Sequence, residues 1–181
     1  MSLELRETSN RGPESLPTIS GMGVVYNSPS EKLPWVETYA EGCFPNLMEE
    51  DVLANVDHDN SRILGRSRNS TVRMEKRANG IYFEIEPPDT TYARDVIARI
   101  KRGDVAGLSA GFLVHDDEWL FENETTRRII KRATLLEIAV ATIPAYPDTN
   151  VALRALDAHR SKDRDKRNRE LALMEKKYVR T

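Results

Sequence analysis

The sequence contains a single cysteine, Cys43, and no long apolar run. A lone cysteine cannot form an internal disulfide, which favours a protein of a reducing compartment. A transmembrane helix needs about 20 consecutive apolar residues, and the sequence offers no such stretch. The first fifteen residues, MSLELRETSNRGPES, lack the apolar centre of a signal peptide. We therefore expect a soluble cytoplasmic protein with no membrane partner.

The 181 residues, 39% of them hydrophobic, suit one domain with a buried core. Charge is unevenly distributed, because residues 154–181 hold ten Lys and Arg against five Asp and Glu, whereas the preceding residues hold seventeen against twenty-four. We predict a flexible N-terminal arm at 1–17, a domain at 18–153 and a charged, basic C-terminal tail at 154–181. The tail is expected to be a solvated helix or disordered, and its mixed charges and single aromatic residue argue against a nucleic-acid partner.

Apolar and β-branched residues predict that most of the chain is strand. Strands are expected in TISGMGVVYN, WVETYA, the residues on both sides of Asn79-Gly80, LSAGFLVHDDEWLFEN and RRIIKRATLLEIAVATI. In the first of these, Gly21 and Gly23 indicate a bulge or a close backbone approach. Asn79-Gly80 is a strong hairpin signal, and a turn is also expected near Asp116-Asp117.

Helical spacing is clearest in DTTYARDVIARIKRGD, where Ala93, Val96, Ile97 and Ile100 recur on one face. Asp89 or Thr90 can cap the start of this helix, and Gly103 can end it in a left-handed conformation. Shorter helices are predicted in FPNLMEEDVLANV and in PAYPDTNVALRAL. Strands interspersed with two or three helices predict an α+β or barrel architecture rather than a doubly wound one.

Metal binding is the first chemistry to consider for His58, which lies between Asp57 and Asp59. Adjacent strand residues point to opposite faces, so at most one of these aspartates could join His58 locally. The sequence has no HExxH and no CxxC motif. We predict no metal and no other cofactor, with a metal-dependent hydrolase using His58 and Asp59 as a rival that predicts inhibition by a chelator.

Nucleophilic catalysis is the second possibility, because Ser109 lies among small residues in GDVAGLSAGF. Such neighbours leave a hydroxyl accessible and let backbone N–H groups approach a bound group, although they are also typical of an ordinary turn. A catalytic serine needs a histidine to take its proton. His115 is six residues further along, about 20 Å in an extended strand, and is a poor partner. His58 is distant in sequence and carries no such restriction.

A third group is needed to orient the histidine, and Glu137 in LLEIAVATI is the candidate. Strand alternation places Glu137, Ala139 and Ala141 on one face, where two small residues leave room for a partner ring or a substrate chain. A carboxylate among apolar neighbours also needs a polar partner. An edge residue that meets water or an arginine is the alternative interpretation of Glu137.

Four segments, taken in order, resemble the prohead proteases of tailed bacteriophages, which are serine proteases of capsid maturation. The resemblance covers residues 19–154, and its segments are GMGVVYNSPSE, VDHDNSRILGRSRNSTVRM, IARIKRGDVAGLSAGF and LLEIAVATIPAYPDTNVALR. It implies a fold similar to herpesvirus assemblin, an α+β protein with an antiparallel, barrel-like core surrounded by helices.

The resemblance also implies roles for residues. The family nucleophile lies in G-(M/L)-S-x-G-F, which matches Ser109, and the base lies in an H-D segment before x-L-G-R, which matches His58. An acidic residue on the strand before PAYP corresponds to Glu137. The family often has NHD where this chain has DHD, and MSFGF where it has LSAGF, which places alanine at position 110; neither difference removes a catalytic atom.

The function implied is a serine endopeptidase that cleaves the scaffold segment of a capsid protein, and itself, during prohead maturation. The backbone N–H groups of Ala110 and Gly111 are the oxyanion candidates. The expected partners are the major capsid protein, its scaffold segment and a second copy of the chain, inside the assembling procapsid in the host cytoplasm. A non-catalytic shell or tube component that shares the fold is the alternative.

Overall fold

The computed structural model describes residues 3–6, 16–30, 33, 35–105, 107–122 and 125–142. The elements follow one another along the chain, with one 3₁₀ turn at Ser67–Asn69 between the fifth and sixth strands. They are β1 (Leu3–Arg6), β2 (Thr18–Val25), β3 (Val36–Tyr39), β4 (Leu53–Val56), β5 (Asp59–Arg66), β6 (Val72–Arg77), β7 (Gly80–Ile85), α1 (Thr91–Arg102), β8 (Gly107–Glu122) and β9 (Thr125–Ala141).

The first sheet contains four antiparallel strands in the order β1-β2-β7-β6. Its first strand lies within the segment expected to be a flexible arm. The hairpin predicted around Asn79-Gly80 is confirmed, with its turn one residue earlier: Arg77 pairs with Gly80, so Ala78 and Asn79 are the two turn residues. The bulge predicted in β2 is also confirmed, because the register of β2 on β7 shifts between Met22 and Val24.

The second sheet is organised around β9. The N-terminal half of β9 pairs in parallel with β3, its C-terminal half pairs in parallel with β4, and β5 extends the sheet beyond β4. On its other side β9 pairs with β8 in an antiparallel arrangement that runs along both strands. One long strand therefore holds β4 and β8 on its two sides at the same level.

Side chains from both sheets form one hydrophobic core, which includes Phe83 of β7 and Ile138 of β9. Gly23 allows β2 to lie close to both, since a Cβ at this position would come within 2.6 Å of Ile138 Cδ1 and of the Phe83 ring. The close approach predicted for this glycine-containing strand is thus confirmed. The contact packs β2 of the first sheet against β9 of the second.

Helix α1 is confirmed as the sequence predicts it. Ala93, Val96 and Ile97 are buried, and Gly103 (φ +83°) ends the helix while its N–H donates to the carbonyl of Ile100. Thr90 occupies the N-cap position, but its hydroxyl makes no capping hydrogen bond.

The predicted fold class, an α+β protein with a barrel-like core surrounded by helices as in assemblin, is wrong. The described residues contain one α-helix and two sheets, neither of which closes into a barrel. The turn expected near Asp116-Asp117 is a register irregularity instead, and β8 continues through it. Long unbroken strands therefore replace several of the short elements that the sequence suggested.

The helix expected in FPNLMEEDVLANV is also wrong. Residues 45–49 form turns, and Leu53–Val56 form β4, which gains ladder hydrogen bonds from strands on both of its sides. A short apolar run fits helical and strand periods almost equally well, and here tertiary pairing decides. The helix expected in PAYPDTNVALRAL and the basic tail lie outside the described residues.

Candidate active site

A tight hairpin turn presents His58. Val56 pairs with Asp59, so Asp57 and His58 are the two central residues of the β4–β5 connection. Both have positive φ, +51° and +59°. This pair of left-handed residues is characteristic of a type I′ turn, whose twist matches that of the flanking strands. Non-glycine residues rarely adopt this conformation, and such strain concentrates at functional sites.

Asp57 fastens this turn to the end of β9. Its backbone N–H donates to the carbonyl of Val140 at 3.1 Å, and its carboxylate Oδ1 accepts the backbone N–H of Thr142 at 2.8 Å. Hydrogen bonds to both the backbone and the side chain of one turn residue restrict how the turn can move. The adjacent His58 is therefore held at a defined position relative to β9.

Strand register places the other two residues on one face of the second sheet. Ser109 on β8 pairs with Ala139 on β9, and Ala139 pairs with Asn55 on β4. Paired residues share a face, and so do residues two apart on one strand, which brings Glu137 onto the face of Ser109. The face predicted for Glu137 and Ala139 is consistent with this register.

The three side chains singled out in the sequence are connected by hydrogen bonds. The Nδ1 atom of His58 lies 2.6 Å from Oε1 of Glu137, and its Nε2 atom lies 3.0 Å from Oγ of Ser109. An ionised carboxylate only accepts, so Nδ1–H is the group that donates to Glu137; when the ring is neutral, Nε2 is then the nitrogen that accepts the Ser109 hydroxyl. The side chains of His58 and Glu137 are 25% and 20% exposed, and Ser109 is buried.

Gly111 makes room for the carboxylate. It pairs with Glu137 across the β8–β9 ladder, and a Cβ on Gly111 would come within 2.5 Å of Glu137 Cγ and 2.8 Å of Oε1. The register then shifts, because the next residue, Phe112, pairs with Leu135 and leaves Leu136 as an extra, half-exposed residue on β9. A bulge of this kind re-aims neighbouring side chains, here immediately before Glu137.

Asn55 is a residue of this cluster that the sequence analysis missed. It is fully buried, and its Nδ2 donates to Oε2 of Glu137 at 2.9 Å and to Oδ1 of Asn60 at 3.0 Å. Its segment was interpreted as helix, which hid the strand face that it shares with Ser109. The signal in the sequence is the amide side chain of Asn55 inside the otherwise apolar run LANV, since a buried amide needs hydrogen-bond partners.

His115 does not join this cluster. His115 Nε2 lies 2.8 Å from Oγ1 of Thr134, in keeping with the prediction that it is a poor partner for Ser109. His159 lies outside the described residues.

The carboxylate of Asp59, considered above as a metal ligand, has protein partners instead. It accepts from the backbone and hydroxyl of Ser61 and from Arg62 Nε, and these bonds lower the pKa of Asp59 to about 2. Within the described ranges, no group of three or more His, Cys, Asp and Glu residues is arranged to hold a metal ion.

Two backbone N–H groups are the predicted candidates for stabilising an oxyanion. Ala110 and Gly111 are consecutive in β8, and successive N–H groups of a strand point to opposite edges. One N–H therefore faces β9 and the other faces the outer edge of β8. At most one of the two can serve a substrate bound along that outer edge.

Comparisons with known proteins bear on the identity of the chain. A family model described as caudovirus prohead serine protease matches residues 2–164. Searches of curated proteins and of solved structures find no match. Among the residues that the structure describes, no helix is both long and apolar enough to cross a bilayer.

Proposed function

The chain belongs to the caudovirus prohead serine protease family, and on that premise we propose that it is an endopeptidase with Ser109 as nucleophile, His58 as general base and Glu137 as the residue that orients His58. The observation that carries the proposal is the hydrogen-bonded series Ser109–His58–Glu137, with contacts of 3.0 and 2.6 Å between residues 51 and 79 positions apart. Polar contacts at that sequence separation in a part-buried site match the nucleophile–base–orienter arrangement of serine hydrolases.

Acylation is the first half of the proposed reaction. Nε2 of His58 removes the hydroxyl proton of Ser109 as Oγ attacks the carbonyl carbon of the scissile peptide bond. The tetrahedral intermediate collapses when His58 delivers that proton to the leaving nitrogen. The C–N bond breaks, the amine product departs, and the acyl group stays on Ser109 as an ester.

Deacylation repeats these steps with water. His58 takes a proton from the water as its oxygen attacks the ester carbonyl, and it returns the proton to Oγ of Ser109 when the ester bond breaks. Glu137 accepts Nδ1–H throughout, which fixes the tautomer with Nε2 free and stabilises the imidazolium that forms in each half-reaction. The backbone N–H of Ala110 or Gly111 would stabilise the oxyanion, and one such donor is worth about 3 kcal/mol.

The substrates are inferred from the family rather than from the cluster. A prohead protease meets capsid and scaffold proteins inside an assembling procapsid, and we propose that this chain cleaves the scaffold segment of the major capsid protein and also itself. We further propose that it self-associates there, in the host cytoplasm. The basic tail, residues 154–181, then either docks inside the shell or is removed by self-cleavage, and a mass spectrum of the mature particle distinguishes the two.

The catalytic assignment is tested by co-expression with the capsid and scaffold proteins. Ser109→Ala should abolish their processing, and Glu137→Gln should reduce it by about 100-fold or more, because an amide no longer fixes the tautomer of His58. Ser20→Ala, which removes a buried serine from the first sheet, is the matched control and should process normally.

A serine-reactive phosphonate separates an enzyme from a shell component. The wild-type protein should be labelled at Ser109, and His58→Ala should suppress the labelling. Normal processing by Ser109→Ala would rule Ser109 out as the nucleophile, and no labelling of the wild-type protein in assembled proheads would favour the non-catalytic alternative.

A further inference from the structure

We propose that Asn55 is a positioning residue for this reaction: its side-chain amide holds Oε2 of Glu137 so that Oε1 of the same carboxylate is directed at His58. The role rests on the proposed function, since it acts through Glu137 and His58. Asn55 itself does not contact Ser109 or the scissile bond in this scheme.

The orientation of the Asn55 amide is determined by its partners. Its nitrogen lies 2.9 Å from Oε2 of Glu137 and 3.0 Å from Oδ1 of Asn60, and both of these atoms are acceptors. The NH₂ group therefore points at them, and the opposite assignment of the amide would set its single oxygen against both of these oxygens. One N–H is committed to the carboxylate and the other to Asn60.

Its place in the sheet links Asn55 to both the acid and the base. Asn55 pairs with Ala139 in the same row that contains Ser109, and β4 continues after Val56 directly into the turn that presents His58. One four-residue strand thus supplies the donor for one oxygen of Glu137 and leads to the ring that binds the other oxygen. A shift of β4 would disturb both contacts together.

The burial of Asn55 is costly, which argues that stability alone does not explain it. Its side-chain Oδ1 is buried and has no hydrogen-bond partner within the described residues. An unsatisfied buried acceptor destabilises the folded state, a penalty that an apolar residue in the same strand would not incur. The hydrogen bond from Asn55 fixes the orientation of the Glu137 carboxylate. With only Oε1 bound, the plane of that carboxylate could rotate away from His58.

The test compares three variants with the wild-type protein, using a scaffold-derived peptide substrate and the serine-reactive phosphonate. Asn55→Leu removes the donor at similar volume, and we expect kcat to fall by about 10- to 100-fold with KM unchanged, as for other partners that orient a histidine through a carboxylate. Asn46→Leu makes the same substitution at an exposed asparagine of a turn that has no part in the site, and it should keep wild-type kcat. Thermal unfolding confirms that each variant is folded.

Asn55→Asp tests whether a protonated side chain can restore the hydrogen bond to Glu137. It also tests the proposal if Asn55→Leu does not fold. A protonated Asp at position 55 can donate to Glu137, whereas an ionised one repels it. Relative to wild type, Asn55→Asp should therefore be more active near pH 5 than near pH 8. With both proteins shown by thermal unfolding to be folded at each pH, a merely structural role would not produce this pH-dependent ratio.

The outcomes separate the two proposals. Active wild-type protein with unchanged kcat in Asn55→Leu, or with equal losses in Asn55→Leu and Asn46→Leu, overturns the positioning role and leaves the protease assignment standing. An Asn55→Asp ratio that does not vary with pH also overturns it. Wild-type protein that neither cleaves nor takes up the phosphonate overturns the protease assignment and this role with it.

Discussion

Gly111 and Glu137 face each other across the β8–β9 ladder so closely that a single methyl group cannot be added between them. A Cβ at Gly111 would come within 2.5 Å of Glu137 Cγ, well inside ordinary van der Waals contact. The glycine that follows Ser109 by two residues thus determines where the carboxylate can lie. The small residues around Ser109 serve the acid as well as the nucleophile.

We predict that Gly111→Ala displaces Glu137 from His58 and lowers kcat/KM by about 100-fold, since a shift of about 1 Å in a catalytic group can cost that much. Peptide hydrolysis with the purified variant measures the loss. The control is a double-mutant cycle with Glu137→Ala: if the new methyl group acts through Glu137, Gly111→Ala should cause little further loss in that background. Additive losses would contradict this explanation.

Asp57 leads to a prediction about stability. Alanine at this left-handed position loses the hydrogen bond to Thr142 and tolerates the backbone poorly, so Asp57→Ala should lower the free energy of unfolding by about 1–3 kcal/mol. Asp57→Asn keeps an acceptor and introduces the residue that favours positive φ, so it should be neutral or stabilising. Chemical denaturation measures both changes.

The control for Asp57 is Asn27→Ala. Asn27 also has a positive φ, +56°, so this variant gives the cost of placing alanine in that backbone region elsewhere in the chain. A destabilised Asp57→Asn variant would show that the charge of Asp57, rather than its geometry, holds the turn. A neutral or stabilised Asp57→Asn variant would mean that the asparagine that the related phage proteases often have at this position is the more stable choice in backbone terms.

The sequence predicts much of this site because strand alternation and the family resemblance identify the same residues. Alternation put Glu137 on one face with Ala139, and the motifs singled out Ser109 and His58; the structure brings these three side chains into hydrogen-bond contact. The sequence does not predict a role for Asn55, because its segment fits helical spacing as well as strand spacing. Only pairing with β5 and β9, which is non-local, decides between the two.

The fold class is harder to predict from the sequence than the site, for a related reason. The sequence suggests a turn near Asp116-Asp117, yet β8 passes through this point because β9 offers it a partner along its length. Local turn signals compete with ladder hydrogen bonds that depend on residues far along the chain. The helix at Thr91–Arg102 and the hairpin after Arg77 rest on local capping and turn chemistry, and both were predicted.

Asp59, next to His58, gives a prediction about acid stability. Hydrogen bonds from Ser61 and Arg62 lower its pKa in the folded protein to about 2, below the value of about 3.9 for an unfolded chain. A depressed carboxyl pKa contributes stability above the unfolded value, and this contribution is lost as the pH falls toward the folded value. The difference in unfolding free energy between wild type and Asp59→Asn should therefore be constant above about pH 5 and narrow between about pH 4 and pH 2.

Denaturation curves across that pH range test the prediction. Ser61→Ala removes the hydroxyl hydrogen bond that lowers the pKa of Asp59 most, so the unfolding free energy of this variant should depend less on pH between about pH 4 and pH 2 than that of the wild type. Combining Ser61→Ala with Asp59→Asn should change the unfolding free energy little beyond Asp59→Asn alone. A difference between wild type and Asp59→Asn that persists unchanged at pH 2 would assign the role of Asp59 to packing rather than to its charge.

Cys43 leads to a prediction that separates thiol from serine chemistry. The residue is fully buried, and this burial raises the pKa of its thiol to about 12. The thiolate is the reactive form, so the native protein should resist a chromogenic disulfide reagent at pH 8 and react with one equivalent only as it unfolds in denaturant. The same reagent should leave peptide hydrolysis intact, while the phosphonate abolishes it. Cys43→Ala leaves the Ser109–His58–Glu137 contacts untouched and should be fully active. Rapid labelling of the folded protein together with lost activity, and an inactive Cys43→Ala variant, would place the nucleophile at Cys43 instead of Ser109.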